Sequence, residues 1–170
     1  VKVGIILGFT GPIESLTPGM AAGAELAFNE ASNSGALLGG STVSSIRADS
    51  TCIDSAAAAS AAEFLISQGV TAIMGADCSG VTGAVLSNVA VPNGVPMISP
   101  SATSPALTTA EDNGLFFRTA PSDARGGEVL ADITSDRGIS SVAITYVNTD
   151  YGVGLADVYE AAALSLIHIS

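Results

Sequence analysis

The sequence predicts an α/β fold, a doubly wound parallel sheet forming a Rossmann-like lobe, and three observations carry that prediction. Short apolar runs of strand length alternate with helical segments along the chain. The strongest run is continuously apolar, which suits a parallel strand covered on both faces. The loops after the runs are rich in Gly, Ser and Thr.

Residues 3–7 are the first run, read as a buried strand, and residues 8–15 are a Gly-, Thr- and Pro-containing loop. A helix follows, with Thr17 as N-cap and Pro18 at its first position. Its expected apolar face is Met20, Ala24, Ala27, Phe28 and Ala31; Gly35 ends it and Gly39 and Gly40 turn the chain. Residues 42–48 read as a weaker strand. Asp54 caps an Ala-rich helix that runs to Gln68, with Gly69 in the position after its end. The strand at 70–74 leads into the loop GADCSG, a helix at 81–90 and a short strand at 96–98.

After Leu107 the pattern changes. A strand-like run at 115–119 precedes a helix at 122–135, a strong strand at 142–147, the loop NTDYG and a helix at 153–163. One strand cannot make a sheet, so this second unit reads as incomplete. The last residues, LSLIHIS, are unlike the Ala-rich helix before them. The expected organisation is a partial N-terminal lobe at 1–119, the start of a second lobe at 120–163, and a processing scar at 164–170, the alternative for the last being a genuine strand after a truncated helix.

Composition narrows the function. The chain is 48% hydrophobic and 12% charged, which excludes disorder. Its net charge of −11 repels phosphate backbones, so no nucleic-acid partner is expected, nor a polybasic membrane anchor, and a monomer is. The sequence opens inside VKVGIILG with no basic region ahead of it, so no signal peptide is expected within it. The only histidine is His168, within the expected scar, which leaves no Ser-His-Asp or Cys-His arrangement. No phosphate-loop motif is present, and GVGLAD at Gly152 lacks the third glycine of a dinucleotide fingerprint. No ligand spacing for a metal appears. No cofactor, no metal and no catalysis are expected. Cys52 and Cys78 alone fit a disulfide, two free thiols or half of a metal site. In a doubly wound sheet ligands sit at the carboxyl ends of the strands, where loops 8–15, 76–80 and 99–103 offer hydroxyls and backbone amides.

Five segments in order, VKVGIILGFTGPI, GADCSGVTGAV, PMISPSATSPALT, FFRTAPSD and YVNTDYGVGLAD, resemble the periplasmic Leu/Ile/Val-type binding proteins of ABC transporters. The resemblance runs over residues 1–163 and implies a type I periplasmic-binding fold, with two lobes closing on an amino acid or analogue. FFRTAPSD is similar to the family's first crossover into its second lobe. The resemblance implies that Ser79 donates to the ligand carboxylate and that Thr103 meets both carboxylate and ammonium. It places backbone groups of Ser101 and Ala102 toward the ligand and closes Tyr151 over it. Leu16 departs from the pattern: the Leu/Ile/Val binder has an aromatic ring there. The acidic partner of the ligand ammonium belongs to a part of the second lobe outside this sequence. Cys52 and Cys78 match the family's disulfide, which implies an oxidising compartment, periplasmic or extracellular and membrane-tethered. The implied role is transport with a membrane permease as partner. The alternative is the extracellular sensor domain of a signalling receptor, and a hydrolase is disfavoured by the missing histidine.

Overall fold

β1, Lys2–Leu7, is the strand on which the first part of the chain is built. The structure is a computed structural model and describes residues 1–167. β1 lies between β2, Ser44–Asp49, and β3, Ala72–Gly75; β4, Met97–Ser99, and β5, Phe116–Arg118, extend the sheet on one side. All pairings are parallel, and the order is β2-β1-β3-β4-β5. The mixed α/β class and the parallel sheet are those expected.

Ile5, Ile6 and Leu7 are fully buried because both faces of β1 are covered. Helix α1, Thr17–Asn33, lays Ala21 against Ile5 and Leu7, with Met20, Ala24 and Phe28 packed around them. On the other face Gly4 makes room for helix α2, Ser55–Ser67. A Cβ on Gly4 would stand 2.7 Å from Cδ1 of Leu65, a fully buried α2 residue. Burying such a leucine contributes about 1.5–3 kcal/mol. Closer still is Gly75, at φ +121, where a Cβ would lie 1.9 Å from the Ile6 carbonyl oxygen. Only glycine lets the end of β3 come this near to β1.

Asp54 caps α2 as expected, accepting from the N–H groups of Ala56 and Ala57, and Gly69 follows its end at φ +75. α1 differs. Its N-cap is Leu16, and Thr17 is already helical and fully buried, its hydroxyl donating to the Gly8 carbonyl at 3.1 Å. The buried stripe runs through Thr17 and Ala21, while Ala27 faces solvent. Helix α3, Ser79–Val85, starts two residues earlier than expected and continues through a π turn, Leu86–Ala90, into a last turn, α4, Val91–Asn93. The Asn93 side chain closes this irregular end by donating to the Val89 carbonyl.

The chain divides into two compact units. The first holds Val1–Ala102 and Glu111–Ala120, and with them the whole sheet. Its β4–β5 side is open on one face: the paired residues Ile98 and Phe117 are 44% and 57% exposed. The second holds Thr103–Ala110 and the chain from Pro121 onward. It is built on α5, Asp123–Asp136, capped by the Ser122 hydroxyl, and α6, Asp150–Ile167. The two helices approach through small residues. A Cβ on Gly127 would lie 2.6 Å from Val158, and Ala131 and Ala156 are buried. α6 runs past residue 163, where its end was expected, because Leu164, Ser165 and Leu166 contain no helix breaker. His168 lies outside the described residues. The glycines of GVGLAD pack helix against chain: Gly152 lies against the Val147 carbonyl and Gly154 against Pro105.

The strand expected at 142–147 is not formed. Among the described residues no neighbouring strand offers it a ladder, and Val142, Ile144, Tyr146 and Val147 are exposed. A run of β-formers becomes a strand only when its N–H and C=O groups find partners. A cavity of about 550 Å³ opens beside it, lined by Leu130, Tyr146, Tyr151, Leu155 and Tyr159 among others.

In this 170-residue chain the amides of 142–146 should exchange with solvent far faster than those of β1, measured by hydrogen exchange; comparable protection would show a sheet in the second unit. Gly75→Ala should destabilise the first unit by more than about 3 kcal/mol, or prevent folding, because the added methyl overlaps a backbone carbonyl; denaturant unfolding measures it.

Candidate functional site

The sheet order reverses between β1 and β3: the chain leaves β1 for β2 on one side and returns to β3 on the other. Such a switch point opens a crevice at the carboxyl ends of the strands. Registers Leu7↔Asp49, Ile6↔Gly75, Met74↔Ile98 and Ser99↔Arg118 bring the ends of all five strands to that edge.

Asp77 stands at the centre of this edge. It is 2% exposed, and its carboxylate accepts from the Gly8 N–H at 2.7 Å, the Cys78 N–H at 2.9 Å and the Ser50 hydroxyl at 3.2 Å. Its carbonyl accepts from the Ser101 hydroxyl at 2.9 Å. Next to it Cys52 and Cys78 form a disulfide, with Cα atoms 5.2 Å apart. The pairing implied by the resemblance is therefore present. Thr51 and Cys52 sit at φ +59 and +70, turning the chain after β2 toward Cys78. The loop after β1 lies on this turn: Cβ atoms on Gly8 and Gly11 would stand 3.3 Å from Cys52 Cβ and 2.6 Å from the Thr51 carbonyl. Asp49 holds the same turn, accepting from the Thr10 hydroxyl at 2.6 Å and from the Thr51 N–H at 2.8 Å. Burial pushes its carboxyl up, but hydrogen bonds from the Thr10 hydroxyl and from the N–H groups of Thr51, Thr10 and Phe9 outweigh this and hold it below the ordinary aspartate value. Arg47 stacks over Phe9 at 5.6 Å and pairs with Glu25 at 2.7 Å.

Ser79 is the first residue of α3 and is buried beside the disulfide. Ser101 and Ala102 follow β4. The Ser99 hydroxyl shapes this loop, accepting from the Ala102 N–H at 3.0 Å and the Ser101 N–H at 3.4 Å while donating to the Ala76 carbonyl. The Ala102 carbonyl accepts from Arg118 at 3.1 Å. Leu16, at the N-cap of α1, is 58% exposed. Ser79, Ser101, Ala102 and Leu16 belong to the first unit; Thr103 and Tyr151 belong to the second. There the Thr103 carbonyl accepts from the Asp123 N–H at 3.0 Å, and Asp123 Oδ2 is enclosed with no hydrogen-bond partner among the described residues. Tyr151, in the first turn of α6, borders the cavity beside 142–147.

Sequence reading missed Asp77, Ser99 and Arg118. Asp77 stands in the segment GADCSG immediately before Cys78 and Ser79, and only its burial marks it out.

A profile described as periplasmic binding protein matches residues 1–166. The chain belongs to that family. It is a family of binding proteins. The chain is 32% identical over 165 residues to Leu/Ile/Val-binding protein homolog 3 of Brucella melitensis, covering 95% of this chain and 43% of that protein. It is 33% identical to the chemotactic signal transduction system substrate-binding protein BasB of Halobacterium salinarum, covering 93% and 40%. The chain thus spans less than half the length of these relatives. Among solved structures, an ABC transporter substrate-binding protein from Desulfitobacterium hafniense in complex with Leu superposes with a TM-score of 0.78 at 28% identity, over 97% of this chain and 47% of that one. A branched-chain amino acid transporter substrate-binding protein from Streptococcus pneumoniae in complex with isoleucine gives 0.77 at 26% identity, over 95% and 46%.

Thiol titration of the unfolded, unreduced protein should find no free cysteine, and reduction should lower stability by about 3–4 kcal/mol for a loop of separation 26; two titratable thiols would contradict the pairing. Asp49 has a lowered value in the fold, so its contribution to stability is complete above the ordinary aspartate value of about 3.9 and is lost as pH falls through the lower folded value. Asp49→Asn should therefore flatten the acid limb of the stability profile and leave its slope near neutrality unchanged, as read by urea unfolding across pH.

Proposed function

We propose that the chain carries the first lobe, residues 1–119, and the start of the second, 120–163, of a solute-binding receptor of an ABC uptake transporter. The receptor captures an amino acid or close analogue between its lobes without chemical change and delivers it to a membrane permease. It works as a monomer in the periplasm, or outside the cell tethered to the membrane. The observation that carries the reading is the carboxyl edge of the sheet, where the segments after β1, β2, β3 and β4 are tied to one another through Asp77 and the disulfide. Relatives described as Leu/Ile/Val-binding proteins, and similar structures holding Leu or isoleucine, support the choice of ligand. The open Ile98–Phe117 face and the unformed strand at 142–147 support the reading that both lobes continue in a longer protein.

In this reading Ser79 and Thr103 give hydroxyls to the ligand carboxylate, Thr103 also meets its ammonium, and backbone groups of Ser101 and Ala102 face the ligand. Leu16 borders the side-chain pocket and Tyr151 closes over the ligand from the second lobe. Neutral donors suit a carboxylate in a cleft that closes, because they bind the anion without burying a cation opposite it. Lobe closure removes the water that competes for each hydrogen bond, and the lower local dielectric strengthens what remains.

Calorimetry of a family-length protein containing this sequence, against amino acids, amides and aromatic acids, tests the reading. Binding of an α-amino acid is expected, and Ser79→Ala and Thr103→Ala should each weaken it by about 1–3 kcal/mol. Affinity indifferent to both substitutions would place the site elsewhere.

A further inference from the structure

Asp77 is a fully enclosed carboxylate with no part in the contacts assigned to the ligand, yet it touches four of the sheet's five carboxyl-end segments. It belongs to the segment after β3. It accepts from Gly8 after β1, from Ser50 after β2, and through its carbonyl from Ser101 after β4. We propose that Asp77 is the positioning residue of the ligand-binding edge, holding the segments that carry Ser79 and Ser101 in fixed register with the loop after β1. This rests on the ligand site proposed above.

The chemistry requires a carboxylate. One oxygen takes the Gly8 N–H; the other takes the Cys78 N–H and the Ser50 hydroxyl. All three partners are donors, and an ionised carboxyl is the side chain that only accepts. An amide of the same shape has one oxygen and one NH2 group. Whichever way it turns, either the Gly8 or the Cys78 N–H faces another donor. Size matters equally: Asp77 Oδ2 would lie 3.3 Å from a Cβ on Gly8, so the loop after β1 is packed against the carboxylate and cannot follow a longer side chain. Cys78 joins Asp77 directly to Ser79 and is bonded to Cys52, so these three consecutive residues and the turn after β2 are one tied unit. Ser101 is tied to the same point by its own hydroxyl. A small displacement of Asp77 therefore reaches both donor segments at once.

Two measurements on Asp77→Asn test this. In the 170-residue chain, hydrogen exchange should accelerate together at Gly8, Cys78 and Ser101–Ala102 while the amides of β1 stay protected; unchanged exchange at Gly8, or a change confined to Cys78, would overturn the proposal. In a family-length protein, calorimetry with the amino acid bound by the wild type should show affinity reduced at least about tenfold, the equivalent of about 1.4 kcal/mol, besides the lower melting temperature that a buried donor facing a donor brings. A lowered melting temperature with unchanged affinity would make Asp77 a merely structural residue. Should Asp77→Asn fail to fold, Ser50→Ala removes one of the three donors and keeps the charge; it should give the same exchange pattern to a smaller extent and a loss of affinity of about two- to fivefold, and no effect on either would overturn the proposal. If the wild type binds none of the amino acids, amides or aromatic acids, the ligand assignment fails, and the exchange measurement still decides whether Asp77 holds the segments together.

Discussion

The close contact of β1 with β3 sets the geometry of everything that follows in the first unit. Gly75 places its backbone against the Ile6 carbonyl, and Ile5, Ile6 and Leu7 are sealed between α1 on one face and α2 on the other. The close approach leaves the ends of β1 and β3 side by side at the point where the strand order reverses. The residues after Gly75, Ala76 to Ser79, therefore emerge beside the Gly8 loop. A methyl group at position 4 or 75 would separate these elements before any polar contact at the edge could form.

Above that apolar base the edge is organised by polar groups that are almost all satisfied by backbone. Asp77 accepts two N–H groups, Ser99 accepts two more and donates to a carbonyl, and Arg118 donates to the Ala102 carbonyl. Buried polar groups are tolerable only when partnered, and partnering them to main chain fixes loops rather than side chains. Loops so fixed present hydroxyls from rigid positions, which lowers the entropy lost when a small ligand is bound.

Much of this was legible in the sequence, and the failures have physical causes. The apolar runs at 3–7 and 70–74, the Asp54 cap and Gly69 are local signals, and local signals were read correctly in type, with ends displaced by a residue or two. A hydroxyl before Pro18 suits a helix cap, but the Thr17 hydroxyl reaches the Gly8 carbonyl, a partner nine residues back that only the folded loop brings near. The run at 142–147 has every property of a strand except a neighbour, and a neighbour is not a property of the run. An aspartate in a Gly- and Ser-rich loop is usually solvated; at Asp77 three contacts, one from each of three other segments, bury it, and none is visible along the chain.

The unpaired segment VAITYV also bears on how this chain behaves beside copies of itself. It has neither charge nor proline, among the described residues no strand pairs with it, and its apolar side chains are exposed. Such a segment is a template on which a second extended chain can add. Opposing that is a net charge of −11, which repels approaching copies over a distance set by dissolved salt, about 10 Å at 0.1 M and 3 Å at 1 M. Colloidal stability of the isolated chain is thus an electrostatic matter, greatest in dilute buffer above the acidic isoelectric point and weakest where salt or acid removes the repulsion.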